Sequence, residues 1–303
     1  MIRTWPIPES LTGERCDVSL ARLSGFSRAT CADLIDEKRV TINGAKVSKS
    51  SRVNFGDVLD LDIPDPDLAE PEPTMVLPIV YEDEGIVVID KPAGIAAHPS
   101  VGWSGPTVTG SLTAMGQVLT SFGPAERKGI VHRLDVGTSG LMVVTKSERA
   151  YVSLKDQFRN RTVEKIYHTL VQGRMDPASG TIDAPIDRHP SSSYRFAVMS
   201  GGRASITHYD TIDSFAYASL LEVQLETGRT HQIRVHMSAL RHSCCGDLTY
   251  GADPKLAARL KLERQWLHAV RLSFEHPISG DRVEFVSPYP DDLQTALNLA
   301  QTL

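Results

Sequence analysis

The 303-residue sequence predicts an α+β fold: a large domain on a mixed, mostly antiparallel sheet, preceded by a small α/β module. Three observations carry this. Strand-like runs recur through the larger part of the chain, at 86–89, 141–144, 164–173, 207–213 and 219–226. Two helical patterns between residues 16 and 39 lead into an Asn43-Gly44 hairpin signal. Between the two parts, residues 64–73 hold four prolines and four acidic residues, a composition that cannot pack and predicts an extended linker. The expected organisation is a module at 1–63, a linker at 64–77 and a second domain at 78–303.

In the module, Val18, Leu20, Ala21 and Leu23 give the first helix an apolar face. Ser27 is placed to cap the second helix, which carries Leu34 and Ile35. Residues 55–63 alternate as a half-exposed strand does. Arg28, Lys38, Arg39, Lys46, Lys49 and Arg52 fall near the second helix and the hairpin. They form either a solvated surface or a face that contacts phosphates.

In the larger domain, 86–89 predicts a buried strand, and Lys91-Pro92-Ala93-Gly94 a sharp turn out of it. A helix is expected over 107–119. Ser147 can cap another, with Tyr151, Leu154 and Phe158 on one face. Tyr167 lies in the alternating run 164–173, where a tyrosine is ordinarily core packing. Runs 207–213 and 219–226 read as paired strands. Gly228 then breaks the chain, and Thr230 is placed to cap a helix from His231 that buries Ile233, Met237 and Leu240.

Hydrophobic residues make up 41% of the chain and charged residues 23%, as in ordinary globular protein. The formal net charge is -5, so a nucleic-acid site has to be a local basic patch on an acidic molecule. The first residues show no signal-peptide core, and no apolar run approaches the roughly 18 residues of a membrane span. None of the four cysteines forms a Cys-x-x-Cys pair, and Cys244-Cys245 reads as two small buried residues. A reducing cytoplasm is expected, with no membrane and no metal.

Asp135 is a candidate for chemistry. It stands two residues after Arg133 and ahead of a tight Gly137-Thr138-Ser139-Gly140 return into the run 141–144. A lone aspartate there reads as a turn residue. A carboxylate on a fixed loop near an arginine is also suited to act as a nucleophile or base. The His and Arg residues of 226–237 leave two further readings open. One is a metal held by His132, His231 and His236; the other is a basic pocket that pairs with a carboxylate.

The string His132-Arg133-Leu134-Asp135, with Thr138-Ser139-Gly140-Leu141, resembles the signature of the RluA-type pseudouridine synthases. Further similarity follows along the chain. It includes Lys91 to Gly94 with His98-Pro99, the Lys165-x-Tyr167 strand, and 226–237 with Gly246-Asp247 and Tyr250-Gly251. The module resembles the S-four-type RNA-binding module at Asp17, Leu20-Ala21, Gly25, Ser27-Arg28, Asn43-Gly44 and Gly56-Asp57. The likeness runs from about residue 13 to about 290 and is most like the RluD branch.

The resemblance implies a cofactor-free isomerisation of uridine to pseudouridine in RNA. Large-subunit ribosomal RNA is the first expected target and transfer RNA the second. It implies that Asp135 is the catalytic aspartate, that Arg234 salt-bridges it, and that Tyr167 stacks on the uracil. Arg133 would fill the gap left by the flipped base or hold a phosphate, with His132, Arg229 and His231 beside the substrate. The module, with Arg28, Lys38, Arg39, Lys46, Lys49 and Arg52, would bind structured RNA, and the protein is expected to act as a monomer. Two other classes stand beside this. One is a non-catalytic RNA-binding assembly factor, which would not need Asp135, Tyr167 and Arg234 together. The other is a serine hydrolase on Ser139, which lacks the Gly-x-Ser-x-Gly elbow.

Overall fold

The computed structural model describes residues 2–26, 28–62, 74–100, 103–124, 127–192 and 194–303. Ser27, expected as a helix cap, and residues 64–73 of the expected linker lie outside the described residues.

The N-terminal part contains β1 (Ile2–Pro6), α1 (Cys16–Ser24), α2 (Arg28–Asp36), β2 (Val40–Ile42), β3 (Ala45–Lys46) and β4 (Val58–Asp62). The strands form one sheet in the order β1-β4-β2-β3. Its core is local: Ile7, Leu20, Ile35, Val40, Leu59 and Leu61 pack together. Asn43 and Gly44 both take positive φ, 51° and 78°, as a two-residue hairpin turn between twisted strands requires. β1 has no counterpart in the sequence expectations. It is an edge strand, almost wholly exposed, so it shows no period-2 burial to detect.

The larger part adds β5 (Ile79–Glu82), β6 (Ile86–Lys91), α3 (Val108–Ala114), β7 (Ser139–Thr145), α4 (Glu148–Asn160), β8 (Glu164–Gln172) and β9 (Ser179–Asp183). There follow β10 (Ile186–Arg188), β11 (Phe196–Val198), β12 (Ile206–Ser214), β13 (Ala218–Leu225) and α5 (Gln232–Ala239). The chain ends with α6 (Pro254–Arg259), β14 (Leu267–Glu275), β15 (Arg282–Val286) and α7 (Asp291–Thr302). The main sheet runs β5-β6-β7-β14-β8-β13-β12-β9, with β15 on β14. Among the described strands of this sheet only β7 with β14 is parallel. The sheet is thus mixed and mostly antiparallel, in an α+β protein.

β7 is buried along its whole length because both faces are covered. Leu141 and Val143 pack on Ala150 and Leu154 of α4. Met142 and Val144 face the opposite cluster, with Ile233 and Met237 of α5. A third cluster joins Trp266 to Leu293 and Leu297 of α7. Leu77 is 2% exposed and belongs to the main core, so the packed domain takes in the last residue of the stretch expected as linker.

Three local expectations differ from the structure. α3 stops at Ala114, well short of 119. Leu240 caps α5 and is 38% exposed, so it leaves the buried face. Thr230 does not cap α5: His231 does, with φ at 57° and no side-chain cap bond. The Gln232 side chain holds the entry instead. Its Oε1 accepts from Thr227 Oγ1 at 2.8 Å and from the Arg229 N–H at 3.0 Å.

The parallel contact depends on Gly140. Its φ is 113°, and a Cβ there would lie 2.4 Å from the Ala269 carbonyl oxygen. Gly140→Ala therefore adds backbone strain to a backbone clash. Urea unfolding should show a loss of about 2–6 kcal/mol, the sum of the usual strain and overpacking costs.

Candidate active site

Asp135 sits on the loop that enters β7, and its main chain is pinned at three successive carbonyls. Asp135 O accepts from the Thr138 N–H at 3.0 Å, and Val136 O from the Gly94 N–H at 2.8 Å. Gly137 O accepts from Arg264 Nη1 at 3.0 Å. Lys91 lies beneath, fully buried, with Nζ donating to Pro92 O at 2.9 Å and Ile95 O at 3.0 Å. Val136 O is a longer contact at 3.5 Å. The carboxylate is thus placed by backbone bonds rather than by its own side chain, which leaves it available for chemistry.

Burial pushes the Lys91 ammonium down to about 7, against the favourable field of Asp135. The unfolded chain then binds one more proton than the folded one between about pH 7 and the ordinary lysine value. Lys91 therefore makes stability rise with pH across that window, and the gain is lost as pH falls back through about 7. Stability followed from pH 6.5 to 9.5 should show this upward component in the wild type and lack it in Lys91→Met.

Arg234 comes from the first turns of α5 and is held on three sides. Its Nη1 donates to Asp135 Oδ2 at 3.2 Å. Its Nε and Nη2 donate to the two oxygens of Asp247, at 2.6 and 2.9 Å. The guanidinium lies over the Tyr250 ring, 4.9 Å from its centre. Burial opposes the charge, but Asp247 and then Asp135 outweigh it and raise the Arg234 pKa. A planar fork that satisfies two carboxylates at once is something lysine cannot supply.

Asp247 and Tyr250 were not among the expected site residues, although both fall in similarity that the sequence shows. Tyr250 Oη also lies 2.7 Å from His231 Nδ1. His231 Nε2 is 3.9 Å from Asp135 Oδ2, and burial keeps the ring toward its neutral form. Tyr167 projects from β8 into the same cleft, 7% exposed. Burial, and then Asp135, raise its pKa and hold the phenol protonated.

Asp135, Tyr167 and Arg234 line one cleft of about 500 Å³, and Arg133, His132, Arg229 and His231 line it too. Arg133 is exposed at its mouth. His132 is engaged in packing: Nε2 accepts the Val143 N–H at 3.0 Å, and the ring stacks on Phe158 with centres 4.7 Å apart. Burial, then Lys165 and Lys155, hold its pKa down to about 3, so it is neutral. Arg229 donates Nε to Ala204 O at 3.2 Å.

The basic residues of the module are partly committed within it. Arg28 pairs with Asp17 at 2.9 Å, Lys49 with Asp36 at 2.6 Å and Arg39 with Glu37 at 3.0 Å. Arg52 donates to Gly13 O at 2.7 Å. Lys46 is exposed on β3, and Lys38 is exposed at the turn after α2.

Ser139 does meet a histidine. Its Oγ is 2.9 Å from His268 Nδ1, and His268 Nε2 is 3.0 Å from Ser287 Oγ, which donates to Asp90 at 2.6 Å. Yet Ser139 is 2% exposed and His268 fully buried, and neither lines the cleft. The string ties β7 to β14 and β6, and a buried hydroxyl without access to substrate is not a nucleophile.

A carboxylate locked to a buried arginine, with an aromatic ring in the same cleft and several cations lining it, suits an anionic substrate. Comparison with known proteins gives the class. Residues 85–239 match the RNA pseudouridylate synthase family and residues 14–59 the S4 domain. The chain is 57% identical to a protein described as an uncharacterized RNA pseudouridine synthase of Mycobacterium bovis, over 98% of this chain and 97% of that one. It is 40% identical to the ribosomal large subunit pseudouridine synthase D of Zymomonas mobilis, over 95% and 94%. The structure of human RNA pseudouridylate synthase domain containing 1 superposes with a TM-score of 0.59 at 27% identity, over 75% of this chain and 90% of that one. The chain belongs to the RNA pseudouridine synthase family: it is an isomerase that acts on RNA, with an S4 RNA-binding domain ahead of the catalytic fold.

Proposed function

We propose that this enzyme converts specific uridines of large-subunit ribosomal RNA to pseudouridine, with Asp135 as the reacting carboxylate. The observation that carries the assignment of Asp135 is its 3.2 Å ion pair to an arginine that is itself fixed by Asp247. The ribosomal target rests on the relatives named synthase D, which share 38–40% identity with nearly the whole chain.

The reaction breaks the bond between uracil N1 and ribose C1′. It turns the base, joins C5 to C1′, and moves the C5 proton away while N1 regains one. No electron leaves the substrate, so no redox group is required. A paired base must first leave its stack, at a cost of a few kcal/mol. Asp135 attacks C1′ or removes the C2′ proton, and in both cases a carboxylate beside the sugar stabilises the positive charge that develops there.

Arg234 orients Asp135, and Arg133 at the cleft mouth takes the place of the flipped base. Tyr167 stacks on the uracil. As a C5 proton acceptor it is opposed by the Asp135 charge, so an ester at Asp135 would remove one of the two causes that keep the phenol protonated. The S4 module supplies a second RNA contact, and the enzyme works as a cytoplasmic monomer.

The test is pseudouridine mapping of total RNA from a strain that lacks the protein, and from the same strain carrying Asp135→Asn. Sites lost from large-subunit ribosomal RNA in both strains are the expected result. Losses confined to transfer RNA would overturn the target. No losses would favour an assembly factor that binds RNA without modifying it.

A further inference from the structure

The cleft has a wall that the reaction does not use. It is built from α4, the start of β8 and the segment before Ile130, and it carries Arg127, Lys155 and Lys165. None of the three has an ion-pair partner among the described residues. Their neighbours are paired: Arg159 with Asp156 at 2.7 Å and Arg161 with Glu226 at 3.1 Å. Glu164, next to Lys165 on the same strand, serves Arg271 and Arg282 instead. Alternation along β8 puts Lys165 on the side of Tyr167 and turns Glu164 away.

Each lysine lies over an aromatic ring, Lys165 half-buried and Lys155 exposed. Lys165 Nζ is 5.9 Å from the centre of Phe158, and Lys155 Nζ is 5.8 Å from that of Tyr151. Phe158 in turn stacks on His132 of the Asp135 loop, so the wall is continuous with the reaction centre. The cations also repel one another. Burial and then Arg161 push Lys165 down to about 8, while burial followed by Arg127 and Arg159 lower Lys155. A row of like charges on one wall, with no ion-paired carboxylate among the described residues, favours an external anion in that place.

We propose that Arg127, Lys155 and Lys165 form a phosphate track that holds the backbone of the RNA strand on the α4 side of the uridine in the cleft. This rests on the reading of the cleft as the RNA site and adds where the strand runs. A polyanion approaching Asp135 meets a carboxylate, and a row of unpaired cations on one wall fixes the side along which it can enter. Point charges from lysine suit this role, because phosphate contacts position the strand without reading its bases.

The experiment measures binding of a fluorescently labelled single-stranded RNA of mixed sequence to the full chain across a salt series. Each phosphate contact with a single strand contributes about 0.7 to the slope of log affinity against log salt. Arg127→Gln/Lys155→Gln/Lys165→Gln should lower that slope by about 2 and weaken binding about tenfold or more at low salt. Lys155→Arg/Lys165→Arg keeps the charges and should keep the slope. Lys255→Gln/Lys261→Gln, on the exposed α6 end, should leave it unchanged. Thermal melting of each variant separates loss of charge from loss of fold. A folded triple variant with the wild-type slope overturns the track, as does an equal drop in the Lys255/Lys261 control. Wild-type protein that shows the full slope yet leaves ribosomal RNA without pseudouridine would overturn the target while the track stands.

Discussion

Asp135→Asn should lower the rate of pseudouridine formation by at least about 10⁴-fold, the scale on which losing a nucleophile or its partner acid shows in other enzymes. The fold should survive. The loop is pinned through the carbonyls of residues 135–137, none of which involves the Asp135 side chain. The amide oxygen of asparagine can still accept from Arg234 Nη1, and Arg234 keeps both bonds to Asp247. What disappears is the negative charge, which both chemical roles of Asp135 require. RNA binding should hold or tighten slightly, because one acid is removed from a cleft that carries many cations. Single-turnover assays at saturating RNA, with binding measured alongside, separate the two effects. Turnover within tenfold of wild type would return Asp135 to the role of a turn residue.

Much of this site was legible in the sequence, for physical reasons that differ from residue to residue. Residues 141–144 stand out because β7 is buried on both faces, so every position must be apolar. Arg234 could be placed because helical spacing puts Ile233 and Met237 in the core and turns their neighbour toward the strand ends. Asp247 was harder. It reaches Arg234 through the turn after α5, and no period links position 234 to position 247. Lys91 looked like part of a turn, since nothing in a Lys-Pro-Ala-Gly string says that its ammonium will be buried under the next loop. The cations of the module were visible as residues but not as pairs, because Asp17 and Asp36 meet them only once α1 and α2 have packed. β10 and β11, of three residues each, are too short to show a period at all.

Arg234→Leu should be costly twice over, and the two costs can be told apart. Asp247 is 2% exposed and receives two charge-assisted bonds from Arg234. Removing the arginine leaves that carboxylate buried and unpaired, which costs about 3–5 kcal/mol. For a domain of this size the melting temperature should fall by about 6–20 °C. Activity should fall by about a hundredfold or more even where the protein is still folded, because Asp135 loses the Arg234 donor that orients it. Arg234→Lys should recover little of either, since a single ammonium cannot reach both oxygens of Asp247 and also Asp135. The double variant Arg234→Leu/Asp247→Leu decides between structure and chemistry. With both charges gone the buried site is apolar and no longer frustrated, so stability should return to within about 2 kcal/mol of wild type. Activity should not return with it, because the fixed guanidinium at Asp135 is still missing. Recovery of both together would mean that Arg234 serves the fold alone; recovery of stability alone assigns it to the positioning of Asp135.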